Sequence, residues 1–572
     1  MKYRWSLPDA ASCANAAKLA AALGLTPVLG QCLVNRGISE PETAARFLKP
    51  RLQNLSDPLR LPNLAAAVDR LVLGRTRGEG LVIFGDYDVD GVTSTALLLE
   101  VLRRLGWSVN YFLPRRREEG YGLTREAAEH CLEKFPTRLL LAVDCGSTAV
   151  ETIGWLAEKG TEVIVLDHHQ VSTPPPPAVA LVNPRLGQTP AAGAELCSAG
   201  LAFKLAHALV KRLREAGEEA ALQMDLRQFL DLVALGTIAD LVPLTGENRI
   251  FATAGLERLT TTQRPGLVAL KGVAQCPSPV GGYEVAFQLA PRLNAAGRLE
   301  DAEESLRLLL APDATGAERL ARSLDGRNRQ RQEIERGIAD EVMAVVAARQ
   351  DRQKDWVIVE GNADWHIGVV GIVAARVVRR FYRPTLILGG DGDCWRGSGR
   401  SIEGFDLAAA LRECSDLLER HGGHSMAAGV TAHPRQIEAL RRKLNSLAQA
   451  TLHPAQLEPA LKLDGEVTGA ALTLPGVEAL SALAPTGQEN PPVQWLLRGL
   501  KLARPERRMG SEQQHAKLFV TDGAAEFEAV WWNCGETPPP GLAFDLAFTP
   551  SINEYRGSRT VQLRLLDWRP AG

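Results

Sequence analysis

Between residues 81 and 245 short apolar runs alternate with amphipathic ones. Leu81–Phe84 is apolar throughout and reads as a buried strand, and the stretch over 92–105, closed by Gly106, reads as a helix. The beat repeats: a strand over 109–113, a helix over 124–134 with Thr124 as N-cap, a strand over 139–143, a helix over 147–159 ended by Gly160, and a strand over 163–166. Strands followed by covering helices predict a parallel sheet. Upstream, residues 1–60 read as small helices: Asp9 or Ser12 is placed to cap the first, and Ser39 with Glu42 resembles a capping box with Pro41 in the first turn. A further helix over 64–73 leads into the first strand.

Beyond residue 245 the pattern changes twice. Residues 246–345 read as mainly helical, and over 317–348 Ile334, Ile338, Val342 and Val346 recur every fourth position, so one face is buried. Arg322, Arg327, Arg329 and Arg331 crowd the first half of that helix, as a solvated face or as the basic wall of a nucleic-acid groove. A second α/β unit begins near 356, with a strand over 356–359, a helix over 369–380 and a strand over 385–388. Short alternating runs over 493–500, 516–520, 527–532, 543–548 and 561–566 predict a small β-barrel. The resulting division is 1–60, 61–250, 251–350, 351–460 and 461–572.

Composition narrows the class. The 572 residues are 45% hydrophobic and 23% charged, as in ordinary globular proteins, and the formal net charge of −2 leaves only a local basic groove as a nucleic-acid signature. Nine scattered cysteines, with neither a CxxC pair nor a His-Cys cluster, read as reduced core residues, which suits a cytoplasmic protein better than a disulfide frame or zinc site. No apolar run approaches the roughly 20 residues of a membrane span, and the N-terminus lacks a signal-peptide core.

The chemistry gathers where strands end. Leu81–Phe84 runs into Asp86, Asp88 and Asp90; the strand over 139–143 ends in Asp144-Cys145-Gly146; the strand over 163–166 ends in Asp167-His168-His169. Ligands of parallel sheets bind beyond the carboxyl ends of the strands, so these groups can converge. Asp240 interrupts an apolar helical run and joins them as a fourth carboxylate source. Three carboxylates at alternate positions fit either an Asp/Gly turn or a cation site; the other three groups favour the cation. Oxygen ligands with one or two imidazoles and no thiolate suit Mn²⁺ or Mg²⁺, and paired ions promote in-line displacement at phosphorus.

GDYDVDG (85–91), VDCG (143–146), DHH (167–169) and ALGTIADLVPL (234–244) together resemble the DHH phosphoesterase superfamily. EGYGL (119–123), LAPRLNAAGRLEDA (289–302), NRQRQEIE (328–335), WHIGVVGIVAARV (365–377), GSGRSI (397–402) and HGGHSMAAGV (421–430) resemble its exonucleases specific for single-stranded DNA. The resemblance implies an α/β fold: a parallel-sheet DHH domain and a DHH-associated α/β domain, joined by a long helix, with a C-terminal oligonucleotide-binding (OB) barrel. It implies two ions, Mn²⁺ or Mg²⁺, held by Asp88, Asp90, Asp144, His168 and Asp240, with Asp144 bridging and Asp86 beside them. It places His169 on the scissile phosphate, Arg292, Asn294 and Arg298 on the substrate side, and Arg298 on transition-state charge. A Gly/Ala-rich loop is expected between the two arginines.

Tyr121, His366, Arg376, Ser398, Arg400 and His424 are the remaining expected substrate contacts, with 397–401 read as a phosphate-binding loop and 422–424 as a flexible approach point. In the barrel, Trp495, Lys517, Trp531, Trp532, Tyr555 and Arg556 are candidates for holding the strand. The implied activity is hydrolysis of single-stranded DNA from the 5′ end to 5′-mononucleotides, in repair and recombination, by a monomer that holds the strand between its two α/β domains. Implied partners are a RecQ-type helicase, single-strand-binding protein and mismatch-repair factors. Two other readings compete: a phosphatase on short oligonucleotides or small esters, which leaves the barrel unexplained, and a non-catalytic DNA-binding replication scaffold, which leaves the complete ligand set unexplained.

Overall fold

The computed structural model describes residues 3–115, 119–120, 122–186, 193–349, 355–390, 392–535 and 537–571, so Tyr121 lies outside the described residues. The chain opens on a strand that the sequence pattern does not announce, β1 (Arg4–Ser6). Two units follow: residues 15–328 with 479–492, and residues 1–14 with 329–478 and 493–572.

In the first unit, helix α1 (Leu64–Thr76) precedes β2 (Leu81–Phe84), α2 (Val89–Arg104), β3 (Val109–Phe112), α3 (Arg125–Lys134), β4 (Leu139–Val143), α4 (Val150–Glu158), β5 (Glu162–Leu166) and β6 (Ala180–Val182). The five strands β2 to β6 form a parallel sheet in the order 3-2-4-5-6. β2 and β4 are buried along their whole length, hence their unbroken apolar runs. Helices α5 (Ser198–Glu215), α6 (Leu230–Ala239) and α7 (Gly246–Thr261) complete the core. Helix α6 stops at Ala239, so Asp240 caps its C-terminus and does not interrupt it.

Three local expectations fail in this unit. The helix after β2 begins at Val89, not Val92, because Asp88 caps it by accepting the Gly91 N–H at 3.1 Å; Asp90 therefore sits in a helical turn. The helix Pro41–Leu48 has Pro41 in its first turn, but Glu40 precedes it and no side chain caps it, so Ser39 and Glu42 form no capping box. The segment between Arg292 and Arg298 is a helix, α8 (Ala290–Leu299), not a loop, because its alanines, Leu293 and Leu299 pack inward.

Helix α9 (Ala314–Arg349) contributes to both units: Ala317, Ala321 and Leu324 are buried in the core of the first, and Ile338, Ala339, Val342 and Val346 in a cluster of the second. Three arginines in its first half are spent on ion pairs, Arg322 with Glu318, Arg327 with Glu300 and Glu304, and Arg331 with Glu335.

The second unit holds β7 (Ile358–Asn362), α10 (Val370–Phe381), β8 (Thr385–Gly389), β9 (Trp395–Arg400), β10 (Arg420–His424) and β11 (Ala427–Ala432), with strand order 10-11-9-8-7. The expected phosphate loop at 397–401 is thus mostly strand: its alternate residues Gly397 and Gly399 pack on β8, where there is no room for side chains. Gly422 to His424 likewise belong to β10, exposed at the edge of the sheet. Strand β12 (Ala460–Lys462) pairs in parallel with β1. The C-terminal strands β13 (Gly465–Glu466), β14 (Trp495–Met509), β15 (His515–Thr521), β16 (Glu526–Trp531), β17 (Phe544–Tyr555) and β18 (Ser558–Pro570) form one sheet in which β14 also pairs with β17, closing a barrel. Among the described residues no helix is long and apolar enough to cross a membrane.

Candidate metal centre

Parallel strands bring the acidic groups to one edge. Asp86 and Asp88 follow β2, Asp144 follows β4 and His168 and His169 follow β5, while Asp90 arrives on the first turn of α2 and Asp240 from the end of α6. Ligand atoms of Asp86, Asp88 and Asp144 lie within 4.8 Å of one another, as do those of Asp90, His168 and Asp240, and those of Asp144, His168 and His169. Asp144 thus belongs to two of the three groups. It is a non-glycine residue in left-handed backbone conformation, with φ of 65°, a strained state concentrated at functional sites.

The N-terminus of α5 props the cluster from behind. Ser198 N–H donates to Asp90 Oδ2 at 2.7 Å, Ala199 N–H donates to Asp90 Oδ1 at 2.8 Å, and the Ser198 hydroxyl donates to Asp144 Oδ1 at 2.8 Å. The positive end of the helix dipole favours these carboxylates, but not enough to offset their crowding. Burial, then the Asp88 charge, lifts Asp90 to about 7. Burial and the Asp90 and Asp88 charges lift Asp240 to about 9. Asp144 is raised well above the carboxylate range by burial and by Asp90, Asp88, Asp86 and Asp240.

The two histidines are set in opposite states. Burial lowers His168 to about 3, so its ring is neutral. Its Nε2 lies 3.4 Å from Asp240 Oδ2, 3.6 Å from Asp144 Oδ1 and 4.0 Å from Asp90 Oδ2. Nε2 and Asp144 Oδ2 are both buried without a hydrogen-bond partner. Burial opposes a charge on His169, yet a 2.8 Å hydrogen bond from Nδ1 to Asp167 Oδ1 and the Asp167 charge outweigh it and raise the ring to about 9. Asp167 is held in turn by the N–H groups of His168, at 2.8 Å, and Ser147, at 3.1 Å.

The donor set fits hard divalent cations. Neutral His168 offers a lone pair, orphaned buried oxygens and nitrogens face one another, and the nearby Cys145 and Cys197 thiols are pushed up by burial, so no thiolate competes.

Helix α8 is clamped onto the acidic loop. Asn294 Oδ1 accepts the Val89 N–H at 3.1 Å. A Cβ on Gly297 would lie 2.7 Å from the Tyr87 carbonyl oxygen, so only glycine permits this approach. Gly236 is the counterpart on α6: a Cβ there would lie 2.6 Å from Asp90 Oδ1. Arg292 is not free for substrate in this state, since it donates to Asp325 Oδ1 at 2.9 Å and to the Gln288 carbonyl at 2.6 Å. Arg298 is half-buried on the same helix.

In the second unit Arg400 donates to Ser398 Oγ at 3.0 Å, and both side chains face Gly371 in the first turn of α10. His366 Nδ1 accepts the Gly368 N–H, Arg376 pairs with Glu335 at 3.3 Å, and His424 is exposed. In the barrel Trp495 is buried core and Lys517 pairs with Glu528, whereas Trp532 and Tyr555 are exposed and Arg556 lies over the Tyr555 ring. The residues that sequence reasoning passed over are Asp167, Ser198, Gly236 and Gly297. Asp167 stood in the DHH tripeptide itself; the others give no local signal except glycines inside helices.

A parallel sheet whose strand ends gather carboxylates and imidazoles around orphaned ligand atoms defines a metal-dependent phosphoesterase of the DHH type. Residues 80–237 match the DHH family N-terminal domain, residues 354–450 the DHHA1 domain and residues 463–567 the RecJ OB domain. The single-stranded-DNA-specific exonuclease RecJ of Bacillus subtilis is 36% identical over 574 residues, covering 99% of this chain and 71% of that protein. Its counterpart in Haemophilus influenzae is 35% identical over 558 residues, covering 95% and 96%. The crystal structure of RecJ in complex with Mn²⁺ from Thermus thermophilus superposes with a TM-score of 0.84 at 31% identity, covering 100% of this chain and 80% of that one; the Mg²⁺ complex gives 0.77 at 30% identity, covering 100% and 79%. The chain belongs to the RecJ family.

Proposed function

We propose that this protein is a metal-dependent exonuclease that hydrolyses single-stranded DNA from the 5′ end to 5′-mononucleotides, acting in the cytoplasm in repair and recombination. The observation that carries the reading is the convergence of three groups of ligand atoms beside a histidine held charged. Asp86, Asp88 and Asp144 would hold one Mn²⁺ or Mg²⁺ ion, and Asp90, His168 and Asp240 the other, with Asp144 shared. Such a pair, when bound, lowers the pKa of a water and neutralises phosphate charge.

The chain's own groups do the rest. Charged His169 binds a non-bridging oxygen of the scissile phosphate, and Asp167 fixes both its ring orientation and its charge. Asn294 holds the acidic loop in register through Val89, and Arg298 offers a guanidinium to developing charge. Ser398, Arg400, His366, Arg376 and His424 contact the sugar-phosphate backbone from the second unit, and the barrel's Trp532, Tyr555 and Arg556 stack on bases. Contacts of this kind fall on phosphate and ring faces, so base preference is weak. A monomer working with a helicase, single-strand-binding protein and mismatch-repair factors is the assembly this reading favours.

The test is an incubation of the purified protein with 5′-labelled single-stranded DNA, duplex DNA and a dinucleotide, each with Mn²⁺, Mg²⁺ or chelator. Release of mononucleotide from the single strand, dependent on metal, is expected. Degradation that survives chelation, or a preference for the dinucleotide, refutes the reading. Asp144→Ala abolishes turnover while DNA is still bound.

A further inference from the structure

Far from the metal centre, the first unit carries a cavity of about 490 Å³, within the roughly 300–1,000 Å³ of small-ligand sites. The last turn of α2, the start of α6 and the ends of two neighbouring helical segments form its walls. Asp90 and Asp240 occupy the opposite ends of α2 and α6. Thirteen helical residues separate Asp90 from Arg103, about 20 Å along the axis, so the two sites do not share groups.

Four guanidinium groups, of Arg103, Arg104, Arg258 and Arg264, line it against two carboxylates, of Glu100 and Asp231. The carboxylates are already engaged. Glu100 pairs with Arg104 at 2.8 Å and also with Arg264, and Asp231 accepts the Thr262 hydroxyl at 2.7 Å. Arg103 and Arg258 therefore stand outside every ion pair among the described residues, and Arg103 makes only a 3.3 Å bond to the Val109 carbonyl. The Nε of Arg258 is buried and donates to nothing, and that of Arg264, also buried, makes no hydrogen bond and lies 3.8 Å from Asp231 Oδ2. Buried N–H groups without acceptors are costly and rare in native structures, and a planar guanidinium matches phosphate oxygens. The lining also includes the apolar side chains of Pro265, Leu310, Ala311 and Pro312.

The geometry points to a second anion site that takes a phosphate ester of mononucleotide size, its phosphate on Arg103 and Arg258 and its base against the proline and leucine wall. The source is either a deoxynucleotide or free phosphate, and a titration separates them. The full chain, kept in chelator so that no metal draws the ligand to the catalytic centre, is titrated calorimetrically with dAMP and with inorganic phosphate. The wild type and His169→Ala are expected to bind dAMP alike and more tightly than phosphate, and Arg258→Gln to bind it about tenfold more weakly. Arg103→Gln, at the exposed rim where folding is not at stake, is expected to weaken it too. No dAMP binding at millimolar concentration overturns the site. Loss of binding in His169→Ala but not in the arginine variants places the anion at the catalytic centre and overturns it as well. Equal affinity for phosphate and dAMP removes the base from the proposal.

Discussion

Replacing Asp167 by asparagine isolates the charge that this buried carboxylate puts on His169. The amide keeps the shape and its oxygen can still accept from Nδ1, which lies 2.8 Å away, while its NH2 group replaces the Oδ2 that accepts the Ser147 N–H, and the negative charge is gone. In the native protein burial opposes protonation of His169 and Asp167 overcomes it, giving about 9. Without the charge the ring falls back toward the ordinary value near 6.5, because burial then opposes only the weaker pull of the Asp240 and Asp86 charges. At pH 7.5 the imidazolium fraction falls from about 97% to about 9%, roughly a tenfold loss; at pH 6 most of the ring is charged in both proteins. The steady-state rate constant kcat/KM on single-stranded DNA is therefore expected to be near wild type at pH 6, about tenfold down at pH 7.5 and lower still at pH 8.5. Linkage has the same sign: a raised histidine pKa stabilises the fold below about 6.5, and that contribution fades as pH rises through 9. Parallel pH profiles for the two proteins, displaced by a constant factor, would show that Asp167 only shapes the loop and would refute the charge argument.

Metal should stabilise the protein more as pH rises. Asp90 at about 7 and Asp240 at about 9 ionise less readily folded than unfolded, so the metal-free protein loses stability from about pH 4 upward, and a cation removes that penalty. The rise in Tm on adding Mn²⁺ is expected to grow between pH 6 and 8.5; an increment that does not change with pH contradicts it. Gly297→Ala pushes a Cβ to 2.7 Å from the Tyr87 carbonyl, so α8 must retreat from the acidic loop. A destabilisation of about 1–3 kcal/mol by urea denaturation and a drop in Mn²⁺ affinity are expected, and unchanged affinity argues against the clamp. Arg249, 1% exposed, donates to the carbonyls of Phe47, Ala482, Leu483, Ala484 and Pro485. Asn490 Nδ2 also donates to the Leu483 and Pro485 carbonyls, so Arg249→Ala strands the other three acceptors and should cost about 3 kcal/mol or more; a loss below about 1 kcal/mol would mean that water replaces the guanidinium.

The parallel sheet was legible because a strand buried on both faces must be apolar at every buried position, and β2, β4 and β5 after its exposed Glu162 announce themselves that way. The barrel was legible for the opposite reason: β15 alternates half-buried and buried residues from end to end. What the pattern hid were elements whose composition contradicts their conformation. β9 is Trp395-Arg396-Gly397-Ser398-Gly399-Arg400, a loop by composition, and is a strand only because β8 and β11 flank it and demand glycine. Strand β1 is three residues that gain their conformation from Ala460–Lys462, more than 450 positions away, so no local signal exists.

The site divides along the same line. Groups that follow apolar strands could be placed together from sequence, since strand ends of a parallel sheet share an edge, and Asp86, Asp88, Asp144, His168 and His169 are all of this kind. Asp90 differs. Its carboxylate accepts from two N–H groups of α5, a helix that begins more than 100 residues later. Those bonds hold Asp90 close to Asp240 and His168 although burial, and then neighbouring carboxylate charge, raises Asp90 to about 7 and Asp240 to about 9. The fold thus keeps in place a cluster that its own electrostatics oppose. A helix N-terminus, two helix glycines with no room for a side chain and a left-handed Asp144 carry that load, and a divalent cation is the ligand that relieves it.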